Sequence, residues 1–352
     1  MTVPRIDLVD DYSVPRHIVG LWQLSGGHQT SATSAEAALR AMEAYFEAGY
    51  DTFDCADIYT GVEDLLGQFR DRLGSRAARL QVHTKYVPDR GALAQLDRSA
   101  VEAAIDRSLR RLQCERLDLV QFAWWDYETP GYVDVVGWLG EIRETGKIRH
   151  IGTTNFDVER LDQMATIAVP MVAHQVQYSI LDRRPTHGLT AFLDETESAM
   201  VCYGSLAGGL LSDRWLDVPE PDGPLANRSL TKYRLIVEEI GGWHALQNLL
   251  RVLREIADGH HSEVAHIASA WVLDQPRVAA AIIGMRNAKH LTGARQAFSV
   301  ALTKGDKRRI LDWQESHPGP AGDTFGLERD PEGPHSAIMW TDLNSEPSKP
   351  AQ

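Results

Sequence analysis

The chain has 352 residues, 43% hydrophobic and 24% charged, with 28 Gly and 16 Pro. This is the balance of a globular protein within the size of one α/β barrel, and it excludes collagen-like and low-complexity chains. A formal net charge of −13 argues against nucleic-acid or anionic-membrane partners, and no apolar run is long enough to span a bilayer. Cys55, Cys114 and Cys202 lie far apart without CxxC spacing, and the first eleven residues carry no secretory pattern. The expectation is a cytoplasmic protein with no disulfide framework and no zinc site.

Residues 1–16 are polar with Pro4 and Pro15, and read as a cap on one end of the fold. A first strand is predicted at 17–21, followed by Gly26-Gly27-His28, a plain turn or a loop reaching substrate. Thr33-Ser34-Ala35-Glu36 reads as a capping box opening a helix that Gly49 closes. Strands follow at 51–54 and 80–86. Asp97 opens a helix with Val101, Ile105, Leu109 and Leu112 on one face, and a strand follows at 117–122. A helix over 132–145 ends at Gly146, and strands are predicted at 150–154, 172–177 and 200–203. Residues 213–233, with Pro219, Pro221 and Pro224, read as a long loop. His260, His261 and His266 lack the carboxylate of an HExxH arrangement and read as a solvated helix start, so no metal is expected. The last strand is predicted at 278–284. The stretch 318–352 is rich in Pro, Gly and charge around an island ending in Met339-Trp340, and reads as a tail ordered by contact.

Eight strands alternating with helices point to parallel βαβ units. No G-x-G-x-x-G follows the first strand, which argues against an open dinucleotide-binding sheet. The expected architecture is a (β/α)8 TIM barrel over 17–317, an N-terminal cap over 1–16 and a C-terminal extension over 318–352.

Functional residues in such a barrel collect at the C-terminal ends of strands. There the sequence places Asp54, then Tyr59 shortly after, and Lys85. A lysine in a barrel mouth needs a carboxylate. A nearby ammonium lowers the pKa of a phenol, so the trio reads as a proton donor for carbonyl reduction. Taken alone, Asp54 and Lys85 also fit a structural ion pair. Trp22, Trp124 and Trp125 are candidates to line an aromatic substrate pocket, or to pack beneath loops.

The segments Asp-Thr-Phe-Asp-Cys-Ala-Asp-Ile-Tyr at 51–59, His-Thr-Lys at 83–85, Leu-Asp-Leu-Val-Gln-Phe at 117–122 and Ile-Gly-Thr-Thr-Asn-Phe at 151–156 stand in a telling order. With Gln175 and with Tyr203 in Tyr-Gly-Ser-Leu-Ala-Gly-Gly, they make the chain resemble the aldo-keto reductases over about residues 17–300. The resemblance implies a barrel that binds NADP(H) and reduces small-molecule aldehydes or ketones by hydride transfer. It implies Tyr59 as general acid, Lys85 as the group depressing its pKa, and Asp54 as the partner of Lys85. Thr154, Asn155 and Gln175 fall where the family holds the nicotinamide carboxamide, and Tyr203 where an aromatic stacks on the ring. Leu206 and Gly208 fall where the backbone approaches the pyrophosphate. Gly284, Arg286, Lys289 and His290 fall where the 2′-phosphate is gripped. His290 replaces a common Arg and Ala294 a common Asn, so NADPH is expected, with NAD(H) as the alternative.

A larger departure is Ala123, which stands where the family carries its catalytic His. Three readings follow. The alanine was introduced to silence the enzyme, since His and Ala codons differ at two bases. Or the chain has diverged to an imine, a conjugated alkene or a non-redox proton transfer. Or catalysis is lost and a nucleotide-binding partner protein remains.

Overall fold

The computed structural model describes residues 2–26, 34–223, 225, 227–284 and 287–344. A hairpin of β1 (Arg5–Val9) and β2 (Tyr12–Pro15) precedes eight barrel strands. These are β3 (His17–Gly20), β4 (Thr52–Asp54), β5 (Gln81–Tyr86), β6 (Leu117–Phe122), β7 (Ile148–Thr154), β8 (Met171–Gln177), β9 (Ala199–Tyr203) and β10 (Val278–Gly284). All eight run parallel and close in the order β10-β3-β4-β5-β6-β7-β8-β9. The (β/α)8 barrel expected from the alternation is what forms.

Outside the strands lie α1 (Ala35–Glu47), α2 (Val62–Leu73), α3 (Arg98–Leu112), α4 (Tyr132–Glu144), α5 (Val158–Ala165), α6 (Leu189–Glu195) and α7 (Arg228–Glu239). They are followed by α8 (Gly242–Gly259), α9 (Val264–Leu273), α10 (Leu291–Gln296), α11 (Lys304–Ser316), α12 (Gly326–Arg329) and α13 (Pro334–Ala337). The α3 pattern is typical of how they pack. Asp97 caps its first turn by accepting from Ala100 N at 2.8 Å, while Val101, Ile105 and Leu112 are buried.

Three local expectations are corrected. The cap of α1 is Ser34, which accepts from Ala37 N; Glu36 therefore sits inside the first turn and pairs with Arg40 and Arg72. Thr33, like Gly27 and His28, lies outside the described residues. The stretch 213–233 is not one loop. Asn227 caps α7 by accepting from Leu230 N, and Leu230, Tyr233, Ile236 and Val237 form a buried face that the three nearby prolines obscured. The polar N-terminus, thirdly, is a hairpin with an apolar side. Leu8, Tyr12 and Val14 pack with Ile18, Leu119, Val172, Val201 and Ala280 and plug the N-terminal end of the barrel. The Tyr12 hydroxyl lies 3.1 Å from His83 Nε2 there, and burial lowers the His83 pKa to about 3.

The chain after α11 crosses the opposite end. Residues 341–344 lie beside the loop after β5: Arg90 N donates to Thr341 O, Gly91 N to Asp342 Oδ1, and Asn344 Nδ2 to Val87 O. Among the described residues no group of three or more His, Cys, Asp or Glu is placed to hold a metal. His260 instead bonds Asp306 at 2.9 Å and His266 bonds Ser262. No described helix is long and apolar enough to cross a membrane.

Candidate active site

Asp54 is the last residue of β4, and its neighbour β5 brings Lys85 to the same mouth. Lys85 Nζ donates to Asp54 Oδ1 at 2.7 Å and to Cys55 O at 2.8 Å. The other carboxylate oxygen, Asp54 Oδ2, accepts from Gln175 Nε2 at 2.6 Å and Gln121 Nε2 at 3.2 Å. The pair is almost wholly buried, with Lys85 6% and Asp54 3% exposed. Burial works to discharge Lys85, but the Asp54 carboxylate opposes it through its charge and its hydrogen bond and holds the ammonium charged.

Tyr59 sits half-buried on the loop after β4, with Lys85 Nζ 5.1 Å from its ring centroid and the Trp22 ring at 4.8 Å. Here the structure differs from the sequence expectation. Burial pushes the Tyr59 phenol up to about 12, and the pull of Lys85 only partly offsets it. Tyr59 is therefore a protonated phenol at neutral pH, beside a cation that stabilises the phenolate left when the proton goes.

Gln121 is a residue that the sequence reading missed as part of this cluster. It lies opposite Lys85 in the β5–β6 register and is fully buried. The available signal was a polar side chain in phase with Leu117 and Leu119 along β6. Ala123 follows β6 directly, half-buried, its N–H bonded to Tyr86 O. Of the two readings for Trp124, packing beneath a loop is the one observed. Trp124 is 1% exposed, packs on Phe122 and Tyr132, and spends its indole N–H on Asp126 O and Thr129 O, so it supports the loop. Trp125 is half-buried with an unpartnered indole N–H.

On the other side of the mouth, Thr154 ends β7 and donates to Gln175 O. Asn155 takes a left-handed backbone, φ +62°, a region Asn tolerates better than most residues. Tyr203 OH donates to Asn155 Oδ1 at 2.9 Å. That bond leaves the Asn155 amide NH2 free to donate. Asp54 and Gln121 engage the Gln175 NH2, leaving Oε1 to accept. One donor and one acceptor are what a carboxamide needs, so the residues fit a nicotinamide. The loop after β9 runs through Leu206 to Gly208 and Gly209, both at positive φ. A Cβ on Gly208 would come within 2.7 Å of the Tyr233 ring, whereas Gly209 faces open space. Gly284 ends β10, between β9 and β3, and Lys289 and His290 are exposed on the turn Ala288–His290. Arg286 lies outside the described residues.

A second group missed by the sequence reading comes from the tail. Arg184 donates to Asp182 at 2.7 and 3.0 Å and to Glu328 at 2.8 and 3.2 Å, and all three are buried. Glu328 also lies 3.5 Å from Lys232 Nζ. Next to it, Arg329 donates to Asn155 O and Trp124 O, each at 2.8 Å. Nothing local in Gly-Leu-Glu-Arg announces contacts to residues 144 and 174 positions away. Burial opposes the Glu328 charge, but Lys232 and Arg184 outweigh it and hold the carboxyl at about 2. A carboxyl depressed on folding stabilises above its unfolded pKa and loses that contribution as the pH falls through its folded value. The tail should therefore loosen between about pH 4.5 and pH 2, read as faster amide exchange in α12 before the barrel unfolds.

With this geometry in place, the comparisons identify the family. The Aldo/keto reductase family profile matches residues 17–313, and the chain belongs to that family of oxidoreductases acting on carbonyls. It is 24% identical over 299 residues to the aldo-keto reductase YhdN of Bacillus subtilis, covering 83% of this chain and 87% of the relative. It is 26% identical over 325 residues to the aldo-keto reductase yakc [NADP(+)] of Schizosaccharomyces pombe, covering 89% and 92%. Among solved structures, the fold is similar to the glycerol dehydrogenase of Gluconobacter oxydans, with a TM-score of 0.74, 24% identity and coverage of 92% and 98%.

Proposed function

We propose that the chain reduces an aldehyde or ketone with NADPH, and that Tyr59 supplies the proton. The observation that carries this reading is the buried Asp54–Lys85 pair set against the Tyr59 phenol. NADPH, when bound, supplies the hydride that goes to the carbonyl carbon. Tyr59 donates its proton to the carbonyl oxygen, and Lys85 stabilises the phenolate that remains. Asp54, fixed by Gln121 and Gln175, keeps the ammonium in place. Asn155 and Gln175 would hold the nicotinamide carboxamide, and Tyr203 would contribute the aromatic surface beside it.

Ala123 has neither donor nor acceptor on its side chain, so nothing at that position orients a carbonyl. It favours a second reading, in which the same Tyr59–Lys85 pair serves an imine or a conjugated alkene. A screen of carbonyl, imine and enone compounds, followed by NADPH absorbance, tests both. Absence of calorimetric binding of either NADPH or NADH would overturn the oxidoreductase reading altogether.

The coenzyme preference is proposed to rest on the positive segment after β10. Lys289→Ala should weaken NADPH several-fold and leave NADH nearly unchanged, since an exposed ammonium reads a phosphate through one charge-assisted contact. Titration of both coenzymes against the variant checks this. Equal weakening would show that Lys289 does not read the phosphate.

A further inference from the structure

We infer that the dipeptide Glu328–Arg329 couples docking of the C-terminal segment to binding of the nicotinamide half of the cofactor, with Arg329 as a positioning residue for Asn155. The inference rests on the reading that Asn155, Gln175 and Tyr203 receive the nicotinamide.

Two adjacent residues of the tail reach two different members of that receiving set. Arg329 donates through Nη1 to Asn155 O and through Nη2 to Trp124 O, bridging the loops after β7 and β6. Its guanidinium lies over the rings of Tyr127 and Phe325, 4.0 and 5.1 Å from their centroids. No salt bridge joins Arg329 to a carboxylate among the described residues, so its short contacts are the two carbonyls and the two rings. The peptide it grips is the unusual one: Asn155 is held at φ +62° and its side chain must stay turned towards Tyr203. Glu328 works through the other member. It binds Arg184 and lies 3.5 Å from Lys232 Nζ, which stands 5.1 Å from the Tyr203 ring centroid. Tyr203 OH then returns to Asn155 Oδ1, closing a circuit from Glu328 to Arg329 through both cofactor-facing residues.

A two-pronged planar donor matches two backbone carbonyls in a way a single ammonium does not. Docking of the tail therefore pre-sets the nicotinamide grip. By reciprocity, filling that grip must tighten the tail by the same factor.

The first experiment uses the unchanged full chain. Hydrogen exchange is followed over residues 324–340 with NADPH and with 2′-phospho-ADP-ribose, which is NADP without its nicotinamide. NADPH should slow exchange there, and 2′-phospho-ADP-ribose should not. The second uses Arg329→Met and Arg329→Lys, each checked for an intact melting transition. Both should weaken NADPH by about tenfold, the scale of a lost charged hydrogen bond, with 2′-phospho-ADP-ribose unchanged. An exchange pattern indifferent to the nicotinamide, full rescue by lysine, or equal weakening of both ligands would overturn the coupling while leaving the proposed function standing. If the unchanged chain binds neither ligand, the cofactor reading fails and the coupling fails with it.

Discussion

Tyr59→Phe should abolish carbonyl reduction while leaving cofactor affinity close to that of the unchanged chain. The fold sets the phenol beside Lys85 Nζ, whereas both oxygens of Asp54 are already occupied by Lys85, Gln121 and Gln175. Loss of a positioned proton donor lowers the rate by about 10²–10⁴. The phenyl ring keeps the packing on Trp22, so the fold is not at stake. Steady-state turnover and calorimetric cofactor binding, measured together, separate the two effects. The pH profile follows from the phenol's position near 12: the donor stays protonated through neutrality, and the rate attributable to it falls only as the pH climbs towards that value. Lys85→Met removes a group that draws the phenol down, so its pKa rises further and the phenolate loses its counter-charge. Turnover should then fall although Tyr59 is intact. A Tyr59→Phe variant with undiminished turnover would show that the proton comes from elsewhere.

The second large effect is expected at position 123. An imidazole placed there would supply a hydrogen-bonding group that the alanine side chain lacks beside the Tyr59–Lys85 pair. Ala123→His should raise turnover of an aldehyde or ketone by about 10²–10⁴, the range associated with one acid–base or polarising partner. NADPH affinity should hardly move, because the groups proposed to hold the nicotinamide come from β7, β8 and β9 whereas Ala123 follows β6. Adding Tyr59→Phe to Ala123→His should erase the gain. If Ala123→His leaves carbonyl reduction flat and removes activity on an imine or enone, the alanine belongs to a different reaction and the second reading replaces the first.

The strands could be read from the sequence because they are short segments with apolar residues, as in β6 and β10, that alternate with amphipathic helical stretches. Observed and expected limits agree within two residues, as at β7, where Ile148 adds a buried position ahead of Arg149 and His150. Asp54, Tyr59 and Lys85 could be read because chemistry and strand ends coincide there. What stayed hidden depends on distance or on competition between forces. The hairpin's buried side is scattered among charges, as Leu8, Tyr12 and Val14, and finds its partners only when the barrel bottom exists. Gln121 acquires meaning from the β5–β6 register that sets it opposite Lys85. The Tyr59 pKa is a balance between desolvation and an ammonium, and sequence shows the ammonium alone. For Trp124 the sequence left pocket lining and packing beneath a loop both open; the contacts with Phe122 and Tyr132 that decide for packing depend on the loop's fold. The Arg184–Glu328 and Arg329–Asn155 contacts span more than a hundred residues and leave no local pattern.

The closing strand of the barrel also sets the order of events during synthesis. β10 is the staple between β9 and β3, joining Ala281 to His17 on one side and to Cys202 on the other. Until residues 278–284 have emerged from the ribosome, β3 and β9 present unpaired edges to other nascent chains. Pairing across so long a stretch of chain is also the slowest to form, because its loop entropy is surrendered before the contact rewards it. A chain interrupted ahead of β10 is then not a smaller reductase but an open, adhesive sheet. Its yield in a cell will depend on how well chaperones shield those two edges while the last quarter of the protein is made.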